Sequence, residues 1–298
     1  MAGAQRIYRA RIRSTQSLKK VFRAQELIAA SRIGKARARA NAARPYAIAI
    51  TQAVSAVATH SDIQHPLASQ RTDTKRVAVL LVTADRGMAG AYTANVLREG
   101  ERLIESFAEQ GREVDLYVTG RRGVGYFSYR GREIAGSWTG ESDAPSTQTA
   151  DAIAAELLAR FLAPAAAGGV AELHVVYTRF VNMVTQEPTI LRLLPLEVVD
   201  GVAPVSADDV LPLYDFEPSA HEVLDALLPR YIRARIYSIL LQAAASELAS
   251  RQRAMHTATD NAEDLIRTYT RLANQARQGE ITQEITEIVS GADALKAS

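Results

Sequence analysis

Residues 255–276, MHTATDNAEDLIRTYTRLANQA, decide how this chain is read. Met255, Ala258, Ala262, Leu265, Tyr269, Leu272 and Ala276 recur there at alternating spacings of three and four. That spacing is the seam of a coiled coil, a narrow apolar stripe that must bury itself against another helix. A matching seam stands near the other end of the chain: Ala29, Ile33, Ala36, Ala40, Ala43, Ala47, Ile50, Val54 and Val57. Neither seam has another partner nearby in sequence, so the N- and C-terminal helices are expected to wrap around each other as an antiparallel coiled coil. The N-terminal seam is mostly alanine, which allows close backbone approach but buries little area per residue.

Working outward, a helical pattern runs from about Gln5 to His60, with Pro45 read as a bend because the seam keeps its register across it. Residues 60–76 read as a polar connection. Val77 to Val82 is a continuous apolar run of the kind that forms a buried parallel strand. Helical spacing follows from about Ala91 to Gln110, then a strand at Val114 to Thr119 and a glycine-punctuated turn through Gly120, Gly123 and Gly125. A helix is expected from Thr149 to Leu162, a strand at Leu173 to Thr178 and an extended stretch at Thr189 to Val199. Strand–helix alternation implies a Rossmann-like layered sheet. Pro195, Pro204, Pro212 and Pro218 mark a linker. Ser219, with Glu222 three residues on, is a capping box opening a helix that runs to about Ala292. Near Gly279 the phase slips to a second seam, Ile281, Ile285, Ile288, Ala292 and Leu295. The expected fold is α/β plus a long α-helical coiled coil: an N-terminal coiled-coil helix over 1–60, a central Rossmann-like α/β domain over 75–200 and a C-terminal coiled-coil helix over 219–298.

The formal net charge of +2 hides a strong asymmetry. Residues 1–45 carry 12 Lys and Arg against the single acid Glu26, whereas residues 46–218 carry 14 bases and 22 acids. A helix so basic, with almost no acid at i±4 to neutralise it, is drawn to an acidic surface or polyanion. The 298 residues contain no Cys, which removes disulfides and thiolate chemistry. No apolar run approaches the roughly 18 residues of a membrane span. The basic opening has no apolar core and no cleavage site, so it is not read as a secretory signal.

No phosphate loop of the form G-x-x-x-x-G-K-[ST] occurs, and no G-x-G-x-x-G follows the first strand. His60, His65, His174, His221 and His256 show no metal-ligand spacing, and no G-x-S-x-G nucleophile motif is present. Asp85 and Arg86 read as a salt bridge that fixes the loop after the first strand. The chain is therefore expected to be chemically inert, with no cofactor, no metal and no catalytic residue.

Several stretches resemble the gamma subunit of F-type ATP synthase, over nearly the whole chain. They are Met1-Ala2-Gly3-Ala4, Ala29-Ala30-Ser31-Arg32, Asp85-Arg86-Gly87-Met88-Ala89-Gly90, Arg179-Phe180-Val181-Asn182 and Gln186-Glu187-Pro188-Thr189. Near the end, Ala245-Ser246-Glu247, Ala258-Thr259-Asp260-Asn261-Ala262, Ile281-Thr282-Gln283-Glu284 and Glu287-Ile288-Val289-Ser290-Gly291-Ala292 are similar almost residue for residue. Two positions depart from the family pattern: Phe22-Arg23-Ala24-Gln25 replaces a Thr-Lys-Ala-Met-like segment, and Ala89 stands where a cysteine is often found. The resemblance implies a rotor shaft inside a ring of alpha and beta subunits, with its base on the epsilon subunit and the membrane c-ring. It further implies a peripheral place on the cytoplasmic face of a bacterial plasma membrane, with no small-molecule substrate of its own. Arg277 and Gln278, with Arg251 and Thr282 on the same helix, resemble the family's polar contacts with a beta subunit. Lys19, Lys20, Arg23 and Arg32 on the basic helix are expected to face acidic loops of the beta subunits. The rival reading is a basic coiled-coil protein that binds nucleic acid. Against it, only Tyr8, Phe22 and Tyr46 interrupt the basic helix with aromatic rings, which leaves little for base stacking. A nicotinamide-dependent enzyme with helical extensions lacks its glycine fingerprint.

Overall fold

β1 (Arg76–Val82) is the element around which the globular part is built, because it is apolar on both faces. Val77, Ala78, Val79, Leu80 and Leu81 are each at most 1% exposed. In the computed structural model, which describes residues 2–60, 71–196 and 217–296, β1 pairs in parallel with β2 (Glu113–Thr119) and with β4 (Glu172–Phe180). The five-stranded sheet has the order β3-β2-β1-β4-β5, with β3 at Gly136–Trp138 and β5 at Gln186–Leu194. β5 runs antiparallel to β4 and makes the sheet mixed.

Alternation along the strands sends side chains to two separate cores. On one face Val77, Val79 and Leu81 meet Val96, Ile104 and Phe107 of α2 (Tyr92–Glu109) and Phe127 of α3 (Arg121–Tyr129). Gly100 is what lets α2 sit so close, since a Cβ there would lie 2.3 Å from Leu81 Cδ2. On the other face Ala78, Leu80 and Val82 meet Ile153, Leu157 and Phe161 of α4 (Thr147–Leu162). The same core takes Leu224, Leu228, Ile232, Ile236 and Leu240 of α5 (Ala220–Lys296). Ser219 opens α5, its Oγ accepting from the Glu222 amide at 3.3 Å. α1 (Ala2–His60) contains Pro45 and α5 contains Pro229, and both helices continue through them.

The chain divides into two compact units, residues 1–29 with 252–298 and residues 30–251. In the first, the rings of Tyr8 and Tyr269 stack at 6.4 Å, Lys19 pairs with Glu263 at 3.3 Å, and Glu26 meets His256 at 3.2 Å. In the second, Ile33 and Ala36 of α1 pack with Ala245, Leu248 and Ala249 of α5.

Several expectations need correction. The covered stripe of α1 begins well before Ala29: Tyr8, Ile12, Thr15, Lys19, Phe22 and Glu26 continue it toward the N-terminus. Polar residues at three of these six positions hide the pattern from an apolar search. On α5 the expected positions Met255, Ala258, Ala262, Tyr269, Leu272 and Ala276 are buried or half-buried and only Leu265, 47% exposed, leaves the stripe, while Thr259, Ile266 and Ala273 beside it are also covered. Thr259 fits because its hydroxyl donates to the Met255 carbonyl at 2.8 Å. The glycine-punctuated stretch after β2 is a turn only at Gly120 (φ 88°) and then the helix α3, while β3 was unforeseen. α5 runs unbroken through Gly279, and Ile281, Ile285 and Ile288 are exposed. The side chains of Ala292 and Leu295, residues 61–70 of the expected connection, and the stretch 197–199 of the expected strand lie outside the described residues.

Replacing Ile232, which is fully buried, by Ala should lower stability by about 2–5 kcal/mol. Leu265→Ala should change it by no more than about 0.5 kcal/mol. Urea unfolding of the purified chain measures both, and equal losses would restore Leu265 to the seam.

Candidate partner-binding surface

In the first unit the sequence places cations where the chain itself cannot neutralise them. Arg6, Arg9, Arg13, Lys20 and Arg23 of α1 are exposed. Arg23 finds Glu26 at 2.9 Å, and Arg11 lies over the Tyr269 ring at 5.6 Å. Lys19 is half-buried beside Glu263. Exposed pairs of this kind contribute about 0–1 kcal/mol each, so they orient side chains more than they stabilise the helix. On α5, Arg277, Gln278 and Thr282 are all exposed, with the Thr282 hydroxyl donating to the Gln278 carbonyl at 2.9 Å. Further along the same helix, Ile285, Ile288 and Val289 expose apolar side chains.

Arg251 and Arg32 are placed differently. Arg251 has a side chain only 8% exposed, and its Nη2 donates to Glu247 Oε1 at 2.6 Å, one helical turn away. The same guanidinium faces the carbonyls of Arg86 at 3.4 Å and Gly87 at 3.5 Å, in the loop after β1. Arg32 pairs with Asp143, whose side chain is 17% exposed. Arg32 keeps 43% of its side chain exposed while pairing with Asp143, whereas Arg251 is buried against its own chain. Desolvation explains the arrangement: a buried cation needs a nearby carboxylate, and Glu247 supplies it.

The carboxyl ends of β1 and β4 gather the rest of this polar cluster. Asp85 does not pair with Arg86, which is exposed. Its carboxylate instead accepts from the amides of Arg121 at 3.1 Å, Gly140 at 2.8 Å and Ser142 at 2.9 Å. Burial raises the Asp85 pKa, but those amides outweigh it and hold the group below the usual carboxylate range. Burial raises the Glu247 pKa, and Arg251 opposes the rise. Glu247 Oε2 makes no hydrogen bond of normal geometry, although the neighbouring Ser142 hydroxyl favours its charged form. Tyr92 is wholly buried and shifted well upward by burial and then by the Glu247 charge, so it stays a neutral phenol. Sequence reasoning missed Glu247 and Asp143. The i,i+4 spacing of Glu247 and Arg251 was a readable signal; the Arg32–Asp143 contact spans 111 positions and was not.

Among the described residues no group of His, Asp and Glu could hold a metal ion, and no helix is long and apolar enough to cross a membrane.

A family model described as ATP synthase matches residues 4–295. An ATP synthase gamma chain of Beutenbergia cavernae is 68% identical over 298 residues, covering all of both chains. The chain belongs to the ATP synthase gamma family. A gamma chain from Arthrobacter sp. is 60% identical over 297 residues, covering 99% of this chain and 100% of the relative. One from Acidothermus cellulolyticus is 60% identical over 298 residues, covering 99% of each. Among solved structures, a chain of the Euglena gracilis mitochondrial ATP synthase shares the fold with a TM-score of 0.69 at 15% identity, covering 100% of this chain and 96% of that one. A chain from the central stalk and c-ring of the Tetrahymena thermophila mitochondrial enzyme gives 0.58 at 21% identity, covering 80% and 99%. A gamma chain is a non-catalytic subunit of its complex, and the nucleic-acid reading draws no support from these relatives.

Asp85 should set an acid limit on stability. A carboxyl with a lowered folded pKa stabilises the fold above its unfolded value of about 3.9, and that stabilisation is lost as pH falls through the folded value. Asp85→Asn should therefore cost roughly 1–3 kcal/mol at neutral pH. Its melting temperature should also fall less than the parent's as the pH is lowered below about 4. Calorimetry across that range checks both; parallel curves for the two proteins would refute the assignment.

Proposed function

We propose that this chain is the central rotor shaft of an F-type ATP synthase, coupling proton-driven rotation of a membrane c-ring to the catalytic beta subunits. The observation that carries the reading is full-length identity of 68% to an ATP synthase gamma chain, on a chain whose two ends are helices of 59 and 77 residues. A helix of 77 residues is on the order of 100 Å long, far beyond what a globular core of this size needs.

In this reading the working segments are the helix over 1–60, the α/β domain over 75–200 and the helix over 219–298, the two helices forming an antiparallel coiled coil. The ladder of contacts supports it, since Tyr8, Lys19 and Glu26 rise in number while their partners Tyr269, Glu263 and His256 fall. The alpha and beta subunits surround the shaft, and the epsilon subunit and c-ring engage its base. The complex lies on the cytoplasmic face of a bacterial plasma membrane, this chain being peripheral. Three beta subunits of identical sequence differ only in what the rotor presents to them. Their unequal nucleotide affinities are then a coupling free energy between rotor angle and binding, reciprocal by thermodynamic necessity.

The exposed Lys20 and Arg23, with the half-buried Lys19, give the shaft a positive field that acts at long range on acidic loops of the ring. A sliding contact needs attraction without interlocking, which exposed charges supply. Arg277, Gln278 and Thr282 act as discrete polar contacts farther along α5. The exposed Ile285, Ile288 and Val289 fit an apolar collar at the far end.

Two measurements test the reading. Ending the chain after Gly279 should leave the globular fold intact and lower ATP-driven proton pumping more than ATP hydrolysis; equal loss of helix content and pumping would argue otherwise. Because the natural chain has no Cys, Lys19→Cys with Glu263→Cys should crosslink within one chain through a short bismaleimide. Crosslinked complex should keep its activity. Crosslinking only between chains would refute the antiparallel pair.

A further inference from the structure

An open α/β sheet usually receives its ligand outside the carboxyl ends of its strands, where the strand order reverses. Here that point lies between β1 and β4, and α5 fills it. Ser246, wholly buried, donates to the Thr178 carbonyl of β4 at 3.0 Å. One turn later Arg251 faces the Arg86 and Gly87 carbonyls beyond β1. Next to this contact, Asp85 binds the amides of Gly140 and Ser142, and its own amide donates to Ser142 Oγ at 2.8 Å. Loops 84–90 and 140–143 are therefore one hydrogen-bonded body. Asp143 of that body holds Arg32 of α1. Both long helices are thus tied by charged side chains to the same pair of loops.

We propose that Arg32 and Arg251 are positioning residues for torque: Arg32 ties α1 to Asp143 in the loop before α4, and Arg251, held in place by Glu247 of its own helix, ties α5 to the Arg86 and Gly87 carbonyls after β1. The rotational setting of both helices is then bound to the sheet. The apolar contacts at this level cannot do this alone. Ile33 and Ala36 meet Ala245, Leu248 and Ala249, with Phe180 of β4 as the one large ring packed beside them; three of the five helix residues are alanines, whose short side chains give shallow ridges between the helices. Directional hydrogen bonds to a guanidinium resist rolling of one helix on another, because its planar fork fixes orientation as well as distance. The near-complete burial of Glu247 and Arg251 leaves them little surface to offer a surrounding ring. The inference rests on the rotor reading and deepens it, by assigning two arginines to the internal linkage of the rotor, the buried Arg251 wholly and the part-exposed Arg32 through its pair with Asp143.

The test uses the complete ATP synthase in inverted membrane vesicles and, in parallel, its detached catalytic sector. The variants are Arg32→Gln, Asp143→Asn, Arg251→Lys, the pair Glu247→Gln with Arg251→Gln, and the exchange Arg32→Asp with Asp143→Arg. The double glutamine variant leaves no bare buried charge and so keeps the test open if Arg251→Lys fails to assemble. Hydrolysis by the detached sector should stay within about twofold of the parent, because no load is applied to the linkage there. Protons pumped per ATP hydrolysed should fall by about threefold or more in the other variants and recover in the exchange. Hydrolysis by the detached sector falling in step with the pumping lost in vesicles would place these residues against the ring and overturn the proposal. So would unchanged pumping throughout, or an assembled exchange variant that recovers nothing. Failure of the rotor reading is separately visible, as a parent complex that hydrolyses ATP without turning this chain.

Discussion

A strand buried on both faces needs a layer on each side, and β1 imposes that requirement on everything around it. α2 and α3 cover one face and α4 covers the other. The first turns of α5 complete the second layer through Leu224, Leu228, Ile232 and Ile236. Because α5 enters the core in this way, its next turns pass over the carboxyl ends of β1 and β4, and Ser246, Glu247 and Arg251 arrive where a doubly wound protein would hold its ligand. A helix that extends well past the core is thereby anchored by the most buried part of the sheet. The position outside the carboxyl ends of the strands, where an open α/β sheet usually receives a ligand, is taken by the chain itself.

The two kinds of contact made by the long helices suit different tasks. Small apolar side chains permit close approach and contribute little energy per residue, so an alanine seam is slender. Charged side chains on the same helices divide by burial. Where they are exposed, as on the first turns of α1, they keep their water and create a positive field at long range. Where they are covered, as at Glu247 and Arg251, desolvation makes them intolerant of separation and hence stiff.

Much of this was legible in the sequence. β1, α2, β2, α4 and β4 lie within a few residues of their expected ranges because each is marked by strong periodicity or by a continuous apolar run. The stripe Ala29 to Val57 is covered throughout, buried or half-buried at every position. What failed did so for identifiable reasons. The segment around α3 carries Gly123 and Gly125, which read as turn, but Gly123 is needed because a Cβ there would strike Thr83 Oγ1 at 2.6 Å. Along α5 the phases beginning Met255-Ala258 and Met255-Thr259 obey the same spacing rule and both are covered, so spacing alone could not single out Leu265 as the exposed position.

From the residues alone one can read that two long amphipathic helices bracket an α/β domain, that cations concentrate at one end, and that no nucleophile, thiol or phosphate loop is present. These are local properties, set by spacing and side-chain type. Which face of α5 turns inward at Leu265 or Ile266, and whether Arg251 points to solvent or to the Gly87 carbonyl, depends on groups distant in sequence. Only the folded chain decides those matters, because the free energy of placing a leucine or a guanidinium is set by what else has already displaced the water around it.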